Sequence, residues 1–165
     1  MNVTKDAVLD AVASLMRRRF DVEAERDKTF AWPEGTIVAD LYLPPPLHCL
    51  VQYDDAAHCT RERAATFATY PPETPLNFDV RRYAADQTGG DGAIAQADVV
   101  ADLLPPKHGR NPTVRIRADE IEELNGSLMD RVESILSRRF AFHAGTTFHR
   151  MVENAGAKPH RTFGS

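Results

Sequence analysis

Three consecutive prolines, Pro44–Pro45–Pro46, separate two runs of strictly alternating character, and this stretch constrains the fold more than any other. In Thr36–Leu43, Ile37, Ala39, Leu41 and Leu43 fall on one face, and Val38, Asp40 and Tyr42 on the other. In Leu47–Asp54, Leu47, Cys49, Val51 and Tyr53 share one face, and His48, Leu50, Gln52 and Asp54 the other. A period of two is the signature of a β-strand. Proline lacks the N–H that a ladder needs, so the triple proline ends one strand and stiffens the connection to the next. The two runs predict an antiparallel pair. If they pair so, parity turns Asp40, Gln52 and Asp54 to the same side of the sheet.

Helical patterns flank this pair. Thr4 can cap a helix to about Arg19, with Val8, Val12, Leu15, Met16 and Phe20 on one stripe. Thr29–Trp32 is a shorter β-like run, ended by Pro33 and Gly35. Thr60 is a good N-cap for a helix with a narrow stripe of Ala64, Phe67 and Ala68, which Pro71–Pro72 stops after Tyr70. Leu76, Phe78 and Val80 alternate with polar residues and predict another strand. Ala93–Leu104 reads as a helix closed by Pro105–Pro106, and Thr113–Arg117 as a short exposed strand. Asp119 and Glu122 resemble a capping box that opens one long helix, 119–142, with Ile121, Leu124, Leu128, Val132, Ile135, Leu136 and Phe140 on its apolar stripe. The expectation is an α/β fold, a mixed central sheet flanked by helices with a long C-terminal helix, in one domain over 1–145. Residues 146–165 are polar and weakly patterned, and predict a loosely ordered tail.

Composition narrows the function classes. A hydrophobic content of 42% and a charged content of 27% exclude a mostly disordered chain, a collagen-like chain and a coiled-coil rod. The apolar runs are too short for a membrane helix, and Met1–Phe20 lacks the apolar core of a signal peptide. Cys49 and Cys59 are too few for a disulfide framework, so a reducing cytoplasm is the expected setting. A net charge of −4 argues against a non-specific nucleic-acid binder, but not against a nuclease whose metal-binding carboxylates lower the total. Arginine supplies most of the positive charge and suits bidentate contacts to phosphate or carboxylate. A Gly-rich phosphate loop, a Gly-x-Ser-x-Gly elbow and a His-Glu-x-x-His motif are absent.

Oxygen ligands converging from neighbouring strands are what a hard cation such as Mg²⁺ requires, and Asp40, Gln52 and Asp54 are placed to supply them. Such an ion polarises a phosphodiester and acidifies a bound water. His58, just beyond, carries an imidazole suited to proton transfer near neutral pH.

The stretch Val38–Tyr70, VADLYLPPPLHCLVQYDDAAHCTRERAATFATY, resembles the core of the PD-(D/E)XK-fold nucleases and is most similar to their very-short-patch-repair-like branch. That branch carries an aspartate on one strand, an apolar strand ending Glu-x-Asp-Gly-x-x-His, and a helix bearing arginines. Asp40 matches the first aspartate, Asp54 the second and His58 the histidine. Gln52 stands where the branch has glutamate, and Asp55 where it has glycine. The order helix, three strands, helix, strand agrees with that fold's core. The resemblance implies a restriction-endonuclease-like core and a divalent-metal-dependent nuclease acting on DNA, with RNA the other substrate class. Asp40 and Asp54 would hold Mg²⁺ or Mn²⁺ with Gln52 beside them, His58 would activate water or protonate the leaving oxygen, and Arg61, Arg63 and Arg81 would contact phosphates. It also implies an acidic residue from the region of the first helix, Glu23 or Glu25. Gln52 removes one negative charge from that set. This supports the alternative of a catalytically inactive member that binds nucleic acid or protein. A third reading is an interaction protein whose helix 119–142 packs against a second copy or another subunit.

Overall fold

The computed structural model describes residues 2–84 and 88–141. Helix α1 (Lys5–Phe20) leads into strands β1 (Glu25–Trp32), β2 (Gly35–Leu43) and β3 (Cys49–Asp54). Helices α2 (Arg61–Thr66), α3 (Arg81–Ala84) and α4 (Gly92–Lys107) precede strand β4 (Val114–Arg117), and α5 (Ala118–Glu122) and α6 (Leu128–Ala141) complete the described chain. The four strands form one sheet in the order β1-β2-β3-β4. The first three are an antiparallel meander, and β4 pairs parallel with β3. The protein is therefore a mixed α/β structure with a four-stranded mixed sheet flanked by helices. Among the described residues, no helix is long and apolar enough to cross a membrane.

Local chemistry explains most of the boundaries. The Thr4 hydroxyl accepts the Ala7 N–H at 3.2 Å and caps α1, and Asp21 ends that helix in the left-handed region at φ 53°. Thr60 caps α2 by accepting the Arg63 N–H. Helix α4 runs through Pro105 and Pro106, which the sequence reading places beyond its end. Pro105 has no N–H to give the Ala101 carbonyl one turn back. The Thr113 hydroxyl donates to that carbonyl instead, at 2.7 Å.

Three expectations are corrected. The run Leu76–Arg81 is not a strand: Asn77 makes a single parallel bridge to Val114, and the chain then turns into α3. The Asp79 carboxylate accepts both the Arg81 N–H and its Nε–H at 3.0 Å, which favours the helical turn. The long helix 119–142 is two helices. Gly126, at φ +100°, breaks it, and Ser127 with Asp130 forms the capping box that starts α6. Strand β4 is not exposed, because all four of its residues are buried. The expected domain end at 145 and the tail 146–165 lie outside the described residues.

One face of the sheet carries Leu41, Leu43, Cys49, Val51, Val114 and Ile116 into a core with Val8, Val12 and Met16 of α1 and Val132, Ile135 and Leu136 of α6. The apolar stripe expected of helix 119–142 is thus part of the domain's own core. The opposite face is divided. Phe30, Ile37, Ala39, Tyr42 and Leu50 pack with Ala101 and Leu104 of α4, so the expected common face of Ile37, Ala39, Leu41 and Leu43 is corrected: the alternation breaks between Ala39 and Leu41, and the two pairs lie on opposite faces. The remainder, around Asp54 and Arg115, is charged and just as deeply buried.

Candidate functional site

The β2–β3 ladder stops at Leu41↔Val51. At the next pair, side chains take over from the backbone. The Asp40 N–H donates to Gln52 Oε1 at 2.7 Å, and the Tyr53 N–H donates to Asp40 Oδ2 at 2.8 Å. Gln52 Nε2 donates to the Val38 carbonyl at 3.3 Å. The strands part here beside a cleft of about 270 Å³. Asp40, Gln52, Asp54 and His58 all line it, together with Lys5 of α1, Asp98 of α4 and Arg115 of β4. Lys5 Nζ lies 2.5 Å from Asp40 Oδ1.

Beneath the cleft is a network of buried charge. Arg115, fully buried on β4, donates from Nη1 to Asp54 Oδ1 and from Nε to Asp102 Oδ1, each at 2.7 Å. Its Nη2 reaches Asp98 Oδ1 at 3.2 Å. Arg63, also fully buried, donates from Nη2 to Asp102 at 2.6 Å and from Nη1 to the Tyr70 hydroxyl at 2.8 Å. The Tyr83 hydroxyl donates to the second oxygen of Asp54. His58 Nδ1 lies 2.9 Å from Asp98 Oδ2 and 4.0 Å from Asp54 Oδ1. Among the described residues, His58 Nε2 has no hydrogen-bond partner.

The electrostatics follow from this packing. Burial pushes the Asp54 carboxyl up, more than the Arg115 charge beside it pulls it down. Burial also acts against the Asp98 carboxylate, but the His58 hydrogen bond and the Arg115 charge together hold it below its ordinary range. The hydrogen bond to Asp98 raises His58 above the usual imidazole value, against the effect of burial. Arg115 is held firmly charged, because the three surrounding carboxylates outweigh its desolvation. With those carboxylates ionised, Asp54, Asp98 and Asp102 exceed Arg63 and Arg115 by one negative charge. A proton on His58 or an added cation is what would balance it.

Asp54, His58 and Asp98 each offer one ligand atom, all within 4.8 Å of one another. The separations of 2.9 and 4.0 Å suit a shared ion, since ligands about 2.1 Å from one metal lie roughly 3 Å apart when adjacent and roughly 4 Å apart when opposite. One imidazole and two carboxylates favour Mn²⁺ or Zn²⁺ over Mg²⁺. Of the metal pair expected from sequence, Asp40 with Asp54, only Asp54 belongs to this group, which takes its other carboxylate from Asp98. Asp40 lines the same cleft without joining that group.

The basic residues separate. Arg61 is exposed, with 69% of its side chain accessible, and Arg81 is exposed and paired with Asp79. Arg63 is enclosed, so its expected phosphate contact is corrected to a structural role. Residues two apart on a helix point about 200° apart, which is why Arg61 faces out and Arg63 faces in. Glu23 pairs with Arg17 and Glu25 with Lys28, and neither lines the cleft. The residue that reaches the cleft from the first helix is Lys5.

Sequence reasoning missed Lys5, Asp98, Asp102, Arg115, Tyr70 and Tyr83. Two signals were available: a pair of aspartates at i and i+4 inside a largely apolar helix, and an arginine between Val114 and Ile116. Neither states its partner. Comparison with protein-family models, curated proteins and solved structures finds no match.

Proposed function

We propose that the cleft is the active site of a divalent-metal-dependent nuclease of the PD-(D/E)XK type, hydrolysing phosphodiester bonds of DNA, with RNA the other candidate substrate. The observation that carries this reading is convergence: Asp40, Gln52, Asp54 and His58, from two strands and the turn that follows, line one cleft with two cations on its walls. The order of elements, with three antiparallel strands and a fourth parallel to the third, supports a restriction-endonuclease-like core. Asp54, His58 and Asp98 would hold the ion, which when bound would supply Lewis acidity toward the phosphate and toward a water. Lys5, half-exposed at the cleft, would meet a phosphate's charge, whereas Arg115 is fully buried and taken up by its three carboxylates. Arg61 stands on the surface for backbone contact. The two cysteines are both buried, with the Cys49 thiol pushed up to about 12 by burial, which is compatible with a cytoplasmic setting.

A specific observation favours a second reading, the catalytically inactive member of the same fold. The Gln52 amide is spent on the backbone of β2, and each carboxylate at the cleft already has a cation inside the molecule. The discriminating experiment incubates supercoiled, linear and single-stranded DNA, and RNA, with Mn²⁺, Mg²⁺, Zn²⁺ or EDTA. Wild type is compared with Asp98→Asn and His58→Gln. The nuclease reading expects metal-dependent cutting that both variants lose while keeping wild-type circular dichroism. Absence of cutting with every metal, alongside salt-sensitive DNA binding, selects the inactive reading.

A further inference from the structure

A second hollow, of about 780 Å³, lies between the segment Asn77–Arg82, α5 and the last turn of α6. It shares no lining residue with the cleft. Phe78 and Val80 form its apolar wall, and Asn77 lines it beside them. Asn77 is only 2% exposed, yet its side-chain Nδ2 has no hydrogen-bond partner. Buried amide donors are nearly always satisfied, so this orphan, on a residue that lines the hollow, marks a place where an acceptor is missing.

The charge around the hollow points to the nature of that acceptor. Four arginines line it against two acids, Asp79 and Glu120. Both acids are already matched, Asp79 by Arg81 and Glu120 by Arg139. Arg82 reaches out to Glu123. Arg138 is exposed and has no ion-pair partner among the described residues. The hollow therefore carries uncompensated positive charge next to an unsatisfied donor and an apolar wall. Its volume lies within the usual range for small-molecule sites, roughly 300–1,000 Å³.

We propose that this hollow binds a nucleoside phosphate. The phosphate lies against Arg138, with Arg81 near by. The Asn77 amide donates to an oxygen or ring nitrogen of the nucleoside. The base lies along the Phe78–Val80 wall, a surface that accepts any base by its π-face. Both a free mononucleotide and the terminal nucleotide of a strand present this chemistry. The assignment needs no catalysis at the cleft and stands or falls separately from it.

The test uses the full chain in EDTA, so that metal-dependent cutting cannot enter. Binding is measured with fluorescein-labelled octathymidylate and, by calorimetry, with thymidine monophosphate. Thymidine and inorganic phosphate serve as competitors. The variants are Arg138→Glu, Asn77→Asp and, as a charge control away from the hollow, Arg17→Glu. The expected result is saturable binding that Arg138→Glu and Asn77→Asp each weaken about tenfold or more, the scale of a lost hydrogen bond to a charged group. Arg17→Glu changes it less than about twofold, and thymidine competes poorly because it lacks the phosphate. Binding of both probes identifies the free nucleotide as a sufficient ligand. Binding of the oligonucleotide alone, with the same response to the variants, identifies a strand end. Absence of binding to either probe, or binding that Arg138→Glu leaves intact, overturns the proposal. Because Arg138 is exposed, that variant carries the test even if Asn77→Asp fails to fold.

Discussion

On one face of the sheet, Leu41, Val51 and Ile116 meet aliphatic side chains of α1 and α6; on the other, Asp54 and Arg115 meet Asp98 and Asp102 of α4 at a comparable depth. Adjacent residues of a single strand, Arg115 and Ile116, belong to these opposite regimes. The apolar face gains from each side chain removed from water, about 1.5–3 kcal/mol for a large one. The charged face must first desolvate its ions, and recovers that only through close, multiply bonded geometry. The first kind of contact tolerates changes of shape. The second fixes which group stands opposite which, and so holds β3, β4, α2 and α4 in one arrangement around the cleft.

The comparison breaks most readily at Arg115. Replacing it with Met leaves Asp54, Asp98 and Asp102 facing one another without their shared cation, and the expected loss is about 3–5 kcal/mol in urea denaturation. A loss below about 1 kcal/mol would mean that the carboxylates simply take up protons. Adding Asp54→Leu to Arg115→Met should return part of the stability, since one uncompensated charge goes with it; a strictly additive double variant would contradict the coupling. Next door, Ile116→Val removes one methylene from the apolar face and should cost only about 0.5–1.5 kcal/mol by the same measurement.

Gln52→Glu sharpens the contrast at the boundary between the two regimes. Glutamate cannot donate to the Val38 carbonyl, so two acceptors would face each other where the amide now bridges the strands. In EDTA the half-exposed variant should lose about 1 kcal/mol, and Mn²⁺ should restore its melting temperature if the added carboxylate joins an ion at the cleft. A variant that is equally stable with and without metal would weigh against metal binding there.

The smallest effect concerns His58. In metal-free protein its imidazole should titrate above the ordinary histidine value by NMR, and Asp98→Asn should bring it down, because the Asp98 hydrogen bond is the main cause of the rise. A folded-state pKa above the unfolded one stabilises the fold fully below the unfolded value. That contribution fades as pH rises through the folded value, so it is lost as the His58 imidazole gives up its proton. An imidazole that titrates identically in wild type and Asp98→Asn would remove the pair from the network.

Much of the framework could be read from short-range pattern. The alternation on either side of Pro44–Pro46 placed β2 and β3 and the parity of Asp40, Gln52 and Asp54, while Thr4 and Thr60 marked two helix starts. These are local properties: strand parity follows from backbone geometry, and an N-cap from a hydroxyl three residues before an N–H. The failures came where a local pattern has two physical outcomes. Alternation in Thr113–Arg117 looked like a half-exposed strand because arginine usually faces water, whereas here its polar face is buried against carboxylates from α4 and β3. The stripe over 119–142 was continuous enough to mask the break that Gly126 and the Ser127 cap impose.

The candidate site divides in the same way. Asp40, Gln52, Asp54 and His58 lie within nineteen residues of one another, so a strand pair and the following turn were enough to suggest a common location. Asp98 and Arg115 are separated from His58 and Asp54 by 40 and 61 residues. Their pairing depends on how α4 crosses the sheet and on β4 running parallel to β3. Sequence by itself determined where the central strands lie and where two helices begin, because those depend on neighbours along the chain, but not the whole of a strand face, since Ile37 and Ala39 lie opposite Leu41 and Leu43. Only the tertiary structure decided which charges are buried together, because the stability of an ion in a low-dielectric interior depends on the partner that folding brings within hydrogen-bond distance.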